Sequence, residues 1–587
     1  MSELNGRQVG QIFFQRAAEL GERTFIKIQK GGGFEEISWS GFATLVRHVL
    51  LGLVALGLQP GDTVAIIGEN SLEWLAADLG TLAAGFTNVV LAPSLSDGMF
   101  VKVLAHSECR AAFVQGAAGI GRLIDLKGQL PALAYIIAME AADANLPNIP
   151  NTLSLAQLRE RGRSDDEQRL TALLEAVQPQ DLATIMYTSG STGEPKGVMR
   201  SYDNLLANIT NGGEIVVSKP DELTVNVLSL NHLFGRFGFL KSAVTGRTTA
   251  LVEAAETKVD LAVIERLAPT GLAVVPRVME RIWEQLLSQD GNDELWRKLE
   301  NLDDNKIAAP SPEFDALRAA LKANVRRAFG GRIKYIAYGG AAMPPRIMRF
   351  FELIGIPLIG SYGSTECGGV TLCGIGENRP GNLGKPFANV QIRIAEDGEI
   401  IVRGPTVSPG YFKNPQATAE AFDAEGWYYT GDLGVIEPDG SLRITGRKKD
   451  VFNCSDGSNI YPSFIELQLE NEPFIRQAVL LGDRRPFVAA LVVPHLAQIS
   501  TALSRAVTNL TPEEIREALW TQIERVNGRL EHYERIREIA VLQEEFSPAV
   551  RSINVFQKVK VDRKAVAERY RETIEAIYAP PTLGGKT

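Results

Sequence analysis

Cysteine is scarce in this chain: four residues in 587, at positions 109, 367, 373 and 454. They form no Cys-x-x-Cys pair and no four-ligand Cys/His set at zinc-site spacing. A disulfide framework or a zinc site is therefore not expected. Such usage fits a reducing compartment. An excess of positive charge is also lacking. The formal net charge is -9, which argues against a nucleic-acid binder, since such proteins present a basic face. The opening residues, MSELNGRQVGQIFF, hold no apolar core of a secretory signal. The best apolar run, Leu45–Leu58, is interrupted by Arg47 and His48 and meets Gly57 near its end. It is too short to cross a bilayer and reads as an amphipathic core helix. A cytoplasmic location is the expectation, with peripheral attachment to the inner face of a membrane left open. There is no internal repeat and no low-complexity region.

What is present is ordinary in composition and long. The chain is 45% hydrophobic and 22% charged, near the average for a soluble globular protein. Its length exceeds one ordinary core, so two or more domains are expected. The first third alternates helix and strand. Phe42–Leu58 reads as a helix, TVAII (Thr63–Ile67) as a buried strand, and Ser71 as the cap of an Ala- and Leu-rich helix that reaches Gly85. Leu182–Tyr187 is a short apolar strand. This alternation implies a layered α/β domain. From about Asn382 the texture changes to antiparallel hairpins, with turns at Asp397-Gly398 and Asp439-Gly440. The charged RKKD (Arg447–Asp450) then marks an exposed hinge between domains. A smaller α+β module follows. Its clearest helix starts at Thr511, where TPEE supplies a cap, a proline at the first helical position and a capping box. Ile515, Leu519, Ile523, Val526 and Leu530 share one face of it. The tail, PPTLGGKT, reads as disordered.

The chemistry begins at YTSGSTGEPKG, Tyr187–Gly197. It is not a Walker A loop, because Lys196 stands between Pro195 and Gly197 instead of preceding a hydroxyl residue. Glycines 190, 193 and 197 let backbone N–H groups face an anion. Thr188, Ser189, Ser191 and Thr192 can donate to phosphate oxygens, and Lys196 adds charge. The composition alone would also suit a flexible surface loop. The order of residues resembles the phosphate loop of the adenylate-forming superfamily, which includes acyl- and aryl-CoA synthetases, luciferases and peptide-synthetase adenylation domains. The other motifs of that superfamily follow in its order. GGAA (Gly339–Ala342) resembles the strand end lining the adenine pocket, which implicates Gly340 and Ala341. GSYGSTE (Gly360–Glu366) resembles the central motif. By that resemblance Tyr362 packs on adenine beside Gly363, Thr365 contacts phosphate, and Glu366 is the magnesium ligand. An aromatic face and a hard carboxylate suit those tasks.

YYTGD (Tyr428–Asp432) resembles the ribose-binding motif, in which Asp432 takes both ribose hydroxyls. TGRKKD (Thr445–Asp450) resembles the hinge motif, with Arg447 supporting the ribose and Lys449 at the pivot. NHLFGR places His232 where the superfamily has an aromatic or histidine beside the acyl pocket, although a lone histidine is as readily structural. In VFQKVKVDRKAVAERY, counting back from Tyr570 selects Lys560 as the adenylation lysine, with Lys558 as its competitor. Such a lysine acts by electrostatics on the carboxylate and α-phosphate.

The resemblance runs from about Val9 to Tyr570 and is greatest to long-chain fatty acyl-CoA synthetases. It rests on the amino-terminal helix-strand unit, on VVPRVMERIWEQL (Val274–Leu286), on the last helix, and on the insertion Ser288–Asn324. It implies a large multi-subdomain α/β adenylation domain, residues 1–446, and a small mobile α+β domain, residues 447–587. It implies ATP, Mg2+ and coenzyme A, and conversion of a long- or medium-chain fatty acid to acyl-AMP and then to a thioester. Several positions depart from the pattern. Tyr202 replaces a histidine, APSLS replaces YPTLS, and no proline-threonine pair precedes Lys560. Asp456-Gly457 replaces the Gly-Gly of the thiol channel, so a carboxylate neighbours Gly457. A charge there disfavours an anionic coenzyme. An acyl carrier protein or an amine therefore stays open as the acceptor, and a non-catalytic acyl or nucleotide sensor is the alternative of another class.

Overall fold

The computed structural model describes residues 7–140, 150–163, 166–189, 194–211, 221–252, 259–289, 291–300, 311–546, 551–553, 559–561 and 563–579. The tail expected to be disordered lies outside them. The first two-thirds form two large sheets flanked by helices. Among the described residues one sheet has seven strands. Its order is Thr152–Ser154, Tyr135–Ala138, Ala111–Val114, Thr63–Ile67, Thr87–Leu91, Leu182–Ser189 and Pro195–Ser201. All neighbours are parallel except the last pair, which is an antiparallel hairpin. The second sheet has nine strands, with a parallel centre running from Leu358–Ser364 through Tyr335–Gly339, Gly271–Val274, Leu223–Asn226 and Thr248–Leu251 to Thr24–Lys30. Antiparallel strands close both its edges.

The expected elements form for the expected reasons. Thr63–Ile67 is a strand buried along its whole length, as a parallel strand covered on both faces must be. Ser71 caps the helix Leu72–Ala83 by accepting from Trp74 N–H. The helix read as Phe42–Leu58 runs instead from Trp39 to Ala55, because Ser38 accepts from Gly41 N–H and starts it three residues sooner. Phe25 stacks on Trp39 at 3.8 Å, and both are buried in the amino-terminal core.

One buried polar cluster ties the layers together. Arg236, on the helix Leu233–Thr245, makes two bonds to Asp78, Nε to Oδ2 at 3.0 Å and a terminal nitrogen to Oδ1 at 2.7 Å. It also donates to Thr184 Oγ1 and Asn88 Oδ1, and Asn88 donates to Asp78 at 2.6 Å. Both charged side chains are fully buried. Asp78→Ala should therefore destabilise the protein by about 3–5 kcal/mol, because it strands a buried guanidinium. Paired replacement by Asp78→Leu and Arg236→Met should cost much less. Denaturant midpoints measure both, and equal losses in the two proteins would contradict this account.

Beyond residue 382 the chain forms the four-stranded antiparallel sheet Gln391–Ile394, Glu399–Arg403, Tyr428–Ile436 and Leu442–Arg447. Gly398 and Gly440 sit at its two turns with φ of 84° each, the left-handed conformation that the Asp-Gly pairs supply. A short 3-10 turn, Lys448–Asp450, leads into the carboxy-terminal module. Its sheet pairs Ile475–Leu481 with Val488–Pro494 antiparallel and the latter with Ile536–Val541 parallel. The helix Pro512–Asn527 has the expected capping box at Thr511 and Glu514. Leu519, Ile523, Val526 and Leu530 are buried in the module's own core, with Ile515 packed against it.

Candidate active site

In both large sheets the chemistry-bearing motifs follow the carboxyl ends of parallel strands, where open α/β sheets bind ligands. The hairpin comes first. Leu182–Ser189 pairs with Pro195–Ser201 so that Thr188 faces Lys196 and Tyr187 faces Gly197. Gly190, Ser191, Thr192 and Gly193 lie outside the described residues, as does the side chain of Ser189. The base of the hairpin is firmly built. A Cβ on Gly197 would come within 2.8 Å of Ile185 and 3.1 Å of the Tyr187 ring, so only glycine lets the strands approach. The Tyr187 hydroxyl meets His106 Nδ1 at 2.7 Å. Lys196 Nζ lies 5.0 Å from the centre of the Tyr411 ring.

Glu366 follows the strand Leu358–Ser364. Ser364 Oγ donates to its Oε2 at 3.1 Å, and Tyr411 OH donates to Oε1 at 3.3 Å. Burial raises the Tyr411 hydroxyl pKa and the Glu366 charge adds to the effect. The carboxylate is thus held by two neutral hydroxyls. Among the described residues no group of three or more His, Cys, Asp or Glu side chains is placed to cage a metal. A single half-buried carboxylate is the donor set that suits a hard cation arriving on phosphates and retaining most of its own waters. Thr365 precedes it, half-buried. Gly363 is required by packing, because a Cβ there would lie 2.0 Å from Gly368 O.

Tyr362, Asp432 and Arg447 come together from three strands. Asp432 sits opposite Arg447 across the ladder of Tyr428–Ile436 and Leu442–Arg447. Its carboxylate is almost fully buried. The Tyr362 hydroxyl donates to Oδ2 at 2.8 Å, so one oxygen expected to face a ribose is already engaged. Burial, with the Asp432 charge, pushes the Tyr362 hydroxyl pKa far up, and the phenol stays a donor. Arg447 Nε lies 2.7 Å from Oδ1 as an ion pair, yet Oδ1 accepts no well-directed hydrogen bond. A buried carboxylate oxygen without a hydrogen bond is costly unless another donor meets it. Thr430 Oγ1 accepts from Asp432 N–H, and Glu399 Oε1 accepts from Gly431 N–H at 2.7 Å. The other Glu399 oxygen takes Lys448 Nζ at 2.9 Å, and Asp397 takes the same amine at 2.5 Å.

The remaining expected residues are more dispersed. Gly340, with φ of 85°, and Ala341 are exposed just past the strand Tyr335–Gly339. His232 is the first residue before the helix Leu233–Thr245, and its carbonyl accepts from Arg236 N–H at 3.0 Å. That helix start abuts the strand ends, since Phe234 would lie 3.8 Å from a Cβ on Gly339. Lys449 is exposed in the 3-10 turn. Gly457, with φ of 86°, closes the turn between Phe452–Asn453 and Asn459–Ile460. Beside it, Asp456 Oδ1 accepts from Ser458 N–H at 2.9 Å, which holds its carboxyl below the ordinary range. Its carboxylate therefore builds the turn. Lys560 pairs with Ser552 in a short ribbon of the carboxy-terminal module, with its side chain outside the described residues. Lys558 lies outside them entirely.

Ser364, Tyr411, Glu399 and Lys448 were not singled out from the sequence. Glu399 carried a signal: it opens the run Glu-Ile-Ile-Val, which is buried throughout, and a carboxylate there needs partners. The cysteines are all buried. Burial pushes the Cys109 thiol up to about 12 and those of Cys367 and Cys373 to about 11. None is poised as a nucleophile at neutral pH.

The chain matches the model of the AMP-binding enzyme family over residues 13–412 and that of the AMP-binding enzyme C-terminal domain over residues 449–581. It is 32% identical over 577 residues to the long-chain-fatty-acid–CoA ligase FadD15 of Mycobacterium bovis, covering 93% of each chain. It is 29% identical to the long-chain-fatty-acid–CoA ligase ACSBG1 of Bos taurus, covering 97% of this chain and 85% of that one. Among solved structures it resembles the adenylation domain of a carboxylate reductase from Mycobacterium chelonae, with a TM-score of 0.74 at 22% identity, covering 98% and 92%. It also resembles the anthranilate CoA ligase AuaEII in complex with anthranoyl-AMP, with a TM-score of 0.74 at 17% identity, covering 97% and 98%.

Proposed function

Because the chain belongs to the AMP-binding enzyme family, we propose that it is a fatty acid–CoA ligase acting in two steps. A long- or medium-chain fatty carboxylate attacks the α-phosphorus of ATP, giving acyl-AMP and pyrophosphate. The thiol of coenzyme A then attacks the acyl carbonyl, and AMP leaves. The single observation that carries this reading is the buried Asp432 Oδ1, which lacks a hydrogen bond beside Arg447 and so suits a ribose hydroxyl.

The chain's own residues divide the work. The hairpin 188–196 holds the phosphates with Thr188, Ser189, Gly190, Ser191, Thr192, Gly193 and Lys196. Tyr362, Gly363, Gly340 and Ala341 line the adenine, and Thr365 meets the α-phosphate. Glu366 would hold magnesium, which supplies charge neutralisation on the phosphates when bound. His232 borders the acyl pocket. Positioning and electrostatics carry the first step. For the second, the carboxy-terminal module turns about Lys449, withdrawing Lys560 and bringing the turn at Gly457 toward the adenylate. No cysteine is needed, in keeping with their burial.

With ATP, magnesium and a fatty acid series, the purified protein should release AMP and pyrophosphate and support ATP–pyrophosphate exchange. Release of ADP would overturn the adenylation reading. Offering coenzyme A and a holo acyl carrier protein side by side then identifies the acceptor. Because the relatives it matches are named CoA ligases, coenzyme A is the expected one, and transfer confined to the carrier protein would correct that choice.

A further inference from the structure

We propose that Arg200 is a positioning residue for the nucleotide half of the reaction, locking the phosphate-binding hairpin to the loop that carries Thr365 and Glu366. The proposal rests on the nucleotide-binding reading above. Arg200 is the penultimate residue of the strand Pro195–Ser201 and is fully buried. Alternation along that strand puts it on the same covered face as Val198. Its guanidinium donates through one terminal nitrogen to Thr365 O and through the other to Thr406 O. The grip continues around it. Asn204 Nδ2 donates to Pro405 O at 2.6 Å and Val407 O at 3.0 Å. Ser408 Oγ donates to Met199 O at 2.8 Å, and Ser408 N–H donates to Glu366 O at 2.7 Å. The backbone behind the magnesium-ligand candidate is therefore held by the strand that leaves the phosphate loop.

The charge itself calls for an explanation. Among the described residues Arg200 forms no ion pair, and its Nε has no hydrogen-bond partner. Burial lowers its pKa to about 10, against the pull of Cys367, Glu366 and Tyr428, so it remains a cation at neutral pH. The two carbonyls need donors, but a neutral side chain could supply them without a buried charge. A fixed, desolvated cation behind the phosphate-facing loop favours a bound anion, because little solvent screens it. The guanidinium's hydrogen bonds go to backbone carbonyls, so Arg200 acts through the Thr365 carbonyl and through its field.

The test uses the full chain with Arg200→Met and Arg200→Lys. AMP binding is measured calorimetrically in chelator, with no metal and no turnover, beside kinetics of ATP–pyrophosphate exchange. Arg200→Met should weaken AMP by about tenfold and raise the KM for MgATP similarly, with the KM for fatty acid unchanged within about twofold. Arg200→Lys should recover most of the AMP affinity through its charge, but not kcat, because one carbonyl loses its donor. A folded Arg200→Met protein with unchanged AMP affinity and MgATP KM would overturn the proposal. Should that variant fail to fold, hydrogen exchange on the unaltered protein decides: AMP should slow amides of 196–201 and 364–368 together, and protection of one segment alone would overturn it. If the unaltered protein binds no AMP at all, the nucleotide-binding reading falls first and this one with it.

Discussion

Glu366→Gln should lower the rate of acyl-AMP formation by on the order of 10²–10³-fold while leaving the fold intact. The amide keeps the volume of the side chain and can still accept from Ser364 or Tyr411, which now hold the carboxylate at 3.1 and 3.3 Å. What it loses is the charge. The described partners of that carboxylate are neutral hydroxyls, so removing it strands no buried cation in direct contact. The loss should therefore fall on magnesium and phosphate and spare stability. Pyrophosphate exchange over a range of magnesium concentrations checks this. A variant retaining more than about a third of the exchange rate would remove Glu366 from the role.

Lys560→Ala should abolish adenylation to a similar degree, on the order of 10²–10³-fold, while leaving thiolysis of supplied acyl-AMP near its full rate. The split follows from the module that carries the lysine. Just after it, Arg563 grips both Glu466 oxygens at 2.8 Å and donates to Leu480 O at 3.0 Å. The lysine segment thus travels with the carboxy-terminal core and should serve only the orientation in which it reaches the adenylate. If Lys558→Ala shows the split and Lys560→Ala does not, the register read from Tyr570 is off by one strand alternation. If both half-reactions fall together, the module does not exchange roles between the steps.

Local patterns carried much of the fold because each rested on a local cause. Ser71 and Thr511 cap their helices where the sequence placed them, since a hydroxyl bonds an amide two or three residues on whatever lies beyond. The Asp-Gly turns at 397–398 and 439–440 required only a left-handed glycine. Failures were equally local: the helix at Trp39 starts early because Ser38, ahead of the apolar run, caps it. The site was legible as motifs but not as contacts. That Tyr362 would donate to Asp432, seventy residues away, depends on how the strand Leu358–Ser364 meets the four-stranded sheet. Asp456 reads in the sequence as a charge beside Gly457, and only the fold gives its Oδ1 the Ser458 N–H to accept from.

By itself the amino-acid sequence determined the family, the order of the nucleotide motifs, the helix caps and the turns. All of these are encoded in runs of a few residues whose hydrogen bonds close on themselves. Only the tertiary structure decided which polar side chains were engaged and which were left open. It put the Arg236 cation on Asp78, gave one oxygen of Asp432 a hydrogen bond and the other only an ion pair, and buried Arg200 against two carbonyls from distant loops. The physical reason is burial. In water each of these groups would be satisfied by solvent, and no neighbour in sequence reveals which of them loses it. Once the sheets close, every desolvated charge must find its partner across the fold or wait for a ligand.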